Sequence, residues 1–182
     1  MSGKFNFSFR SEDPSRKLPA KIIIGRQETE TAVHVLLKMM GFVMFYRERL
    51  QIETRLPNAM ISFVPDLAQL DYELRPKLWV ECGECSVSKL DKLAVKAPEA
   101  ELWVVKKSAA DAEELIRGMK KEGLRQNRYG IIALDGEMFE EMRNLLAGRN
   151  DLLWVGGGIE QEEAQFDFNG LWFEMPLKIF RF

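Results

Sequence analysis

From Lys77 onward the chain alternates between short β-branched runs and stretches of helical period, and this alternation restricts the folds open to it. Lys77 to Cys82 reads as a strand, 88–97 as a helix, 101–106 (ELWVVK) as a strand and 109–122 as a helix. The series continues with strand 129–134 (YGIIAL), helix 136–147 and strand 152–155. Strand–helix–strand units at this spacing join parallel strands through right-handed crossovers. Phe166 to Phe173 then reads as a hairpin, with Asn169-Gly170 supplying the two positive-φ residues of a tight turn.

The first half is patterned differently. Phenylalanines at 5, 7 and 9 follow the period of a half-buried strand, Asp13-Pro14-Ser15 marks a turn, and Lys21 to Ile24 pairs back as a hairpin. From Glu28 to about Arg49 the period becomes helical, and apolar residues lie almost all round, as in a helix buried between layers. Its one polar stripe is Glu30, His34 and Lys38. Leu50 to Leu56, Met60 to Val64 and part of Gln69 to Leu74 read as short strands around Pro57 and Pro65. The expected fold is α/β: a central mixed β-sheet with helices on both faces, an added βα half and a C-terminal hairpin. At 182 residues, a single domain over 1–182 is expected.

Composition narrows the function classes. The formal charge of −2 argues against a protein that coats nucleic-acid backbones, while leaving room for a focused basic cleft. No apolar run reaches the roughly 18 residues of a membrane span, and Met1 to Phe7 lacks the apolar core of a signal peptide. Two cysteines do not make a secreted disulfide scaffold. A cytoplasmic protein is the expectation.

The residues that could carry chemistry gather around one strand end. Alternation places Leu78, Val80 and Cys82 on one face of their strand and Lys77, Trp79, Glu81 and Gly83 on the other. Glu81 therefore sits where a βα loop begins, the usual location of sites in such sheets. Asp66, Asp71 and Glu73 are upstream acids that could join it, and Glu28 and Glu30 open the long helix. Converging carboxylates would bind Mg²⁺ or Mn²⁺, which favour oxygen ligands and could activate a water for hydrolysis. In the next helix Lys89, Lys92 and Lys96 form a line, with Ser88 as the N-cap. One of these lysines could reach back toward Glu81. The same residues also have a purely structural reading. Acids favour helix N-termini, Glu30–His34–Lys38 makes a charge ladder, and a lysine line makes a solvated face.

Gln27-Glu28-Thr29 ahead of an apolar helix, Glu48-Arg49-Leu50-Gln51 at its end, Leu78-Trp79-Val80-Glu81-x-Gly83 and a lysine-bearing helix together resemble the YaeQ family of bacterial proteins. The resemblance runs over nearly the whole chain. It implies a variant of the restriction-endonuclease-like PD-(D/E)xK fold, with Glu81 as the second acid, Glu28 as the helix acid and Lys92 as the lysine carried on a helix. It also exposes a departure: Lys77 stands where relatives tend to carry aspartate. Either Asp71 or Asp66 supplies the second metal ligand beside Glu81, or the site is degraded, and Lys77 could neutralise Glu81 directly. The candidate set is Glu28, Asp71, Glu81 and Lys92, with Glu81 and Asp71 as metal ligands.

Other signals carry less. Cys82-Gly83-Glu84-Cys85 is one CxxC without further zinc ligands, and is read as ordinary thiols. His34, the only histidine, is read as a core or ladder residue, which leaves no Ser-His-Asp hydrolase. Gly156-Gly157-Gly158 lacks the Lys-Ser/Thr of a P-loop. Arg117, Lys120, Lys121, Arg125 and Arg128 cluster as solvated surface or as a phosphate-facing patch for nucleic acid. Lys178 to Phe182 is apolar enough to pack on the body or on a protein partner. Two functions stay open: a metal-dependent phosphodiester hydrolase, active or degenerate, and a non-enzymatic binding or regulatory protein on the same scaffold.

Overall fold

The computed structural model describes residues 3–57 and 61–182. Within them the chain runs β1 (Lys4–Ser11), β2 (Lys21–Gly25), α1 (Ala32–Met44), β3 (Gln51–Ile52), β4 (Leu67–Leu70), β5 (Pro76–Cys82), α2 (Val87–Lys96) and β6 (Glu101–Lys106). It continues with α3 (Ala109–Lys121), β7 (Tyr129–Ala133), α4 (Gly136–Leu145), β8 (Arg149–Gly158), β9 (Glu163–Phe168), β10 (Leu171–Pro176) and β11 (Lys178–Arg181). The α/β class holds, but not one central sheet. There are two mixed sheets among the described residues, ordered β11-β7-β6-β5-β4-β3 and β10-β9-β8-β1-β2.

The second sheet exists because β1 has two partners. It pairs antiparallel with β2, as the expected hairpin, and parallel with β8, where Phe9 stands opposite Leu152. α1 lies between the sheets, packing on β4, β5 and β6 to one side and on β2 to the other. Phe7, Ile24, Trp154 and Phe166 from one sheet share a buried cluster with Leu78, Val80 and Val105 from the other. A helix apolar all round is thereby explained: it has no solvent face over most of its length. The opposite face of the six-stranded sheet is covered by α2 and α3, where Leu90, Leu93, Ala112, Leu115 and Met119 pack on Trp79, Val104 and Ile131. This face division of β5 follows the expected alternation.

Helix ends are set by caps. α1 starts at Ala32 rather than Glu28, because Gln27 N donates to the Glu30 carboxylate and Glu30 N to Gln27 O, closing a turn first. It stops at Met44 rather than near Arg49, where Arg16 Nη1 donates to the Val43 and Met44 carbonyls. In α2 the N-cap is Ser86, whose hydroxyl accepts from Lys89 N at 3.1 Å; Ser88 lies inside the helix. Ser108 and Asp135 cap α3 and α4 in the same way.

The short strands around the prolines are where expectation and structure part. β3 has only two residues: Glu53 still donates its N–H to Asp66 O but takes positive φ, which turns the chain away after it. Of the strand expected over 60–64, Met60 lies outside the described residues and Ile61 to Val64 form none. Between β6 and β7, Trp103 faces Gly130, where a Cβ would fall 2.4 Å from the indole; glycine is what admits the ring. Asn169 and Gly170 turn β9 into β10 at φ 51° and 86°, as expected of a type I′ pair. Lys178 to Arg181 joins the body, as the edge strand beside β7. No helix among the described residues is long and apolar enough to cross a membrane.

Candidate metal centre at the end of β5

Glu81 points to the α2 side of β5 and is only 3% exposed. Its Oε1 accepts from Trp79 Nε1 at 2.6 Å, and its Oε2 accepts from Lys89 Nζ at 2.8 Å. Trp79 is two residues earlier on the same face, so the strand period delivers that donor. The Ser86 cap fixes the first turn of α2 and aims Lys89 back at the strand. The Phe63 ring lies 5.5 Å from the Lys89 ammonium. Burial raises the Glu81 pKa; Lys89 opposes the rise and the charge of Asp66 adds to it.

Asp66 immediately precedes β4. Pairing of Leu67 with Val80 continues to set Asp66 opposite Glu81 across two antiparallel strands. Asp66 Oδ2 accepts the Cys82 backbone N–H at 2.7 Å, while Oδ1 lies 3.1 Å from His34 Nε2. This carboxylate ties the β5 backbone to α1. On the α1 side stand Glu30, His34 and Lys38, the polar stripe of the buried helix. His34 Nδ1 is 3.3 Å from Glu30 Oε1, and Lys38 Nζ is 2.6 Å from the same oxygen. Lys38, with no exposed surface, also donates to Glu53. Burial pulls the pKa values of His34 and Lys38 down, but their carboxylate partners outweigh it and hold both above their ordinary values.

Glu30 and His34 line a cleft of about 540 Å³ that continues past Leu37, Gly83, Lys107 and Asp111. Lys106 borders it and donates to Gly83 O at 2.7 Å. Ligand atoms of Glu30, His34 and Asp66 all fall within 4.8 Å of one another.

The structure brings together only part of the set expected from sequence. Asp71 is a correction: it occupies the β4–β5 turn, at the other end of β5 from Glu81. Its Oδ1 accepts from Glu73 N and Arg75 N, and its Oδ2 from Arg75 Nε at 2.9 Å. Those hydrogen bonds, the backbone one from Arg75 foremost, hold its carboxyl below the ordinary range. Lys77 lies at that far end too, 2.8 Å from Glu99 and about 13 Å along the strand from Glu81. It does not neutralise Glu81. Glu28 is exposed in the turn before α1, and Lys92 is exposed on α2. Glu30 and Lys89 take the inward positions instead. Glu53, Trp79 and the His34 stripe complete the cluster; the period of α1 and of β5 could have flagged all but Glu53.

The basic group at the end of α3 is also placed away from this centre. α3 starts beside the cleft, and Lys120 and Lys121 come about 15–20 Å further along its axis. Arg128 is tied to the Ala97 and Ala100 carbonyls. Cys82 and Cys85 are free, and burial pushes Cys85 up to about 12, so both stay protonated near neutrality.

The model of the family described as YaeQ protein matches residues 8–155. The chain belongs to the YaeQ family. Among solved structures it is similar to the YaeQ protein of Xanthomonas axonopodis pv. citri, at 19% identity and a TM-score of 0.76, over 100% of this chain and 99% of that one. It is also similar to the YaeQ protein of Pseudomonas syringae, at 16% identity and a TM-score of 0.75, over 100% and 97%. Among curated proteins there is no match. At these identities the two crystal structures attest to the fold of this YaeQ-family chain, and its chemistry must be argued from its own residues.

Proposed function

We propose that this chain is a divalent-cation-dependent phosphodiester hydrolase with a rearranged PD-(D/E)xK site. One observation carries the reading: the β4–β5 register, continued by one residue, sets Asp66 opposite Glu81, with the Lys89 ammonium 2.8 Å from Glu81. The pattern that names the fold asks for Pro-Asp, then an acid two residues ahead of a lysine. Pro65-Asp66 and Glu81-Cys82-Gly83 supply the acids, and Lys89 brings from α2 the ammonium that Gly83 cannot. Asp66 thereby answers the vacancy that Lys77 creates.

The donor set suits Mg²⁺ or Mn²⁺. Burial and mutual repulsion raise the pKa of Glu81, and a divalent ion would reverse both effects. Such an ion would polarise a phosphoryl oxygen and acidify a bound water. Asp66 and Glu81 would hold it, each already oriented by a fixed donor, Cys82 N–H and Trp79 Nε1. Lys89 offsets part of the rise that burial imposes on the Glu81 pKa, and a bound phosphodiester would give its ammonium a second anion to pair with. Lys106 and Lys107 line the cleft alongside Glu30, Glu84 and Asp111, and a substrate phosphate would have to pair with the two lysines and the bound ion.

The test is hydrolysis of bis(p-nitrophenyl) phosphate and of single- and double-stranded DNA with Mg²⁺ or Mn²⁺. Asp66→Asn, Glu81→Gln and Lys89→Met should each lower the rate by about 100-fold or more while the fold persists. Wild-type protein that hydrolyses none of these with either ion would overturn the reading.

One observation favours the non-enzymatic alternative: Glu81, Glu30, Asp66 and Glu53 all have cationic or imidazole partners already. The partners are Lys89, Lys38 and His34 rather than Lys77 or Lys92. A binding protein of this kind would show no cation-dependent rise in melting temperature at millimolar Mg²⁺ or Mn²⁺.

A further inference from the structure

We infer that Glu30, His34 and Asp66 form a second cation position, on the cleft side of Asp66, that takes a first-row transition ion of the Mn²⁺ class in preference to Mg²⁺. The inference rests on the proposed hydrolase only for what the ion is used for; the position itself stands on separate residues.

Three features support it. The first is geometry: one donor atom from each residue lies within 4.8 Å of the other two. Ligand bonds of about 2.0–2.2 Å would span that set after side-chain movements of a few tenths of an ångström. The donors come from the turn before α1, the first turn of α1 and the entry to β4, and the Gln27–Glu30 hydrogen bonds tie the first of these down.

The second is charge. Glu30, Glu53, Asp66 and Glu81 face two ammonium groups, Lys38 and Lys89. Counted formally with all four ionised, two carboxylate charges remain, and among the described residues the imidazole of His34 is the further partner the pairs supply. Lys38 has Glu53 as a second counter-ion, so Glu30 can turn to a cation without stranding a buried ammonium. Arrival of a divalent ion balances the cluster.

The third is access joined to ligand type. Glu30 and His34 line the open cleft, so an ion can arrive without unfolding. Mg²⁺ dehydrates reluctantly and prefers oxygen, whereas imidazole beside two carboxylates favours Mn²⁺, Fe²⁺, Co²⁺ or Zn²⁺. Glu81 is not within reach of this donor group. The ion nearest Asp66 Oδ1 therefore differs in ligand set from one held between Asp66 and Glu81.

The chain has one histidine, which makes the test clean. Mn²⁺ alone is added to tag-free protein in buffer without imidazole or amines, and electron spin echo modulation from directly coordinated ¹⁴N is recorded. The expected result is a ¹⁴N signal in wild type that survives Glu81→Gln and disappears in His34→Gln. Mn²⁺ should hold its place against equimolar Mg²⁺ by at least about tenfold, and His34→Gln should remove that preference. Bound Mn²⁺ without nitrogen modulation, or no bound Mn²⁺ at all, overturns the inference. The wild-type spectrum decides this even if a variant fails to fold. A nitrogen signal with no phosphodiester hydrolysis would keep this position and sink the hydrolase reading; hydrolysis without the signal would do the reverse.

Discussion

The two ends of β5 both carry ionic clusters, and they behave differently because one is buried. At the N-terminal end Asp71, Glu73, Arg75, Lys77 and Glu99 form a network open to water. At the C-terminal end Glu81, Asp66 and Lys38 are buried, Lys38 completely, and Glu30 is half-buried at the edge of the cleft. Exposed pairs are screened and contribute little beyond fixing a turn. Enclosed ones must be matched in charge and hydrogen bonding, so each group depends on its neighbours. The residue types are nearly the same. Depth is what separates them.

That contrast can be broken most sharply at Lys38. Lys38→Met should cost about 3 kcal/mol or more, because Glu30 and Glu53 lose their shared ammonium in a dry setting. Urea denaturation checks this, and a variant as stable as wild type would show that the enclosed end is not a mutually dependent network. Lys89→Met should come next, with a loss of about 1–3 kcal/mol and a further rise in the Glu81 pKa, read from carboxyl titration by NMR.

His34 gives the pH arm. Its folded pKa is raised above the unfolded value, so its contribution is fully present below about pH 6.5 and is lost as pH rises through the folded pKa. The urea midpoint should therefore fall as pH rises from 6 to 8, with a shallower fall in His34→Gln. The smallest effect belongs to the exposed end. Lys77→Ala should leave the denaturation midpoint unchanged within error, since its partners are solvated. A loss as large as that of Lys38→Met would erase the distinction between the two ends.

Much of this was legible in the sequence. The strand–helix alternation after Lys77, the faces of β5, the Asn169-Gly170 hairpin and the place of Glu81 at the C-terminal end of its strand all follow from period and turn chemistry. The α1 stripe was visible as well, but a helical period cannot say whether a charged stripe meets solvent or another layer. Lys38 meets another layer, a consequence of the second sheet, and that sheet depends on β1 pairing with a strand some 140 positions away. The choice of Asp66 over Asp71 turned on register: Leu67 opposite Val80 brings Asp66 level with Glu81, and no local signal carries register. Lys89 rather than Lys92 reaches Glu81 because it lies in the first turn of α2, the turn nearest the end of β5.

The parallel pairing of β1 with β8 also bears on how the molecule assembles. The cluster between the six-stranded sheet and α2–α3 draws mainly on residues 79–133, nearly contiguous in the chain, and can condense early. α1 is different: one of the walls that enclose it needs segments from both halves of the sequence, with a long loop closed before any contact rewards it. Lys38 would stay hydrated until that late step. This topology leads us to expect the ionic centre to form in the last stage of folding, and a pulse-labelling experiment should find the amides of α1 protected after those of β6 and β7.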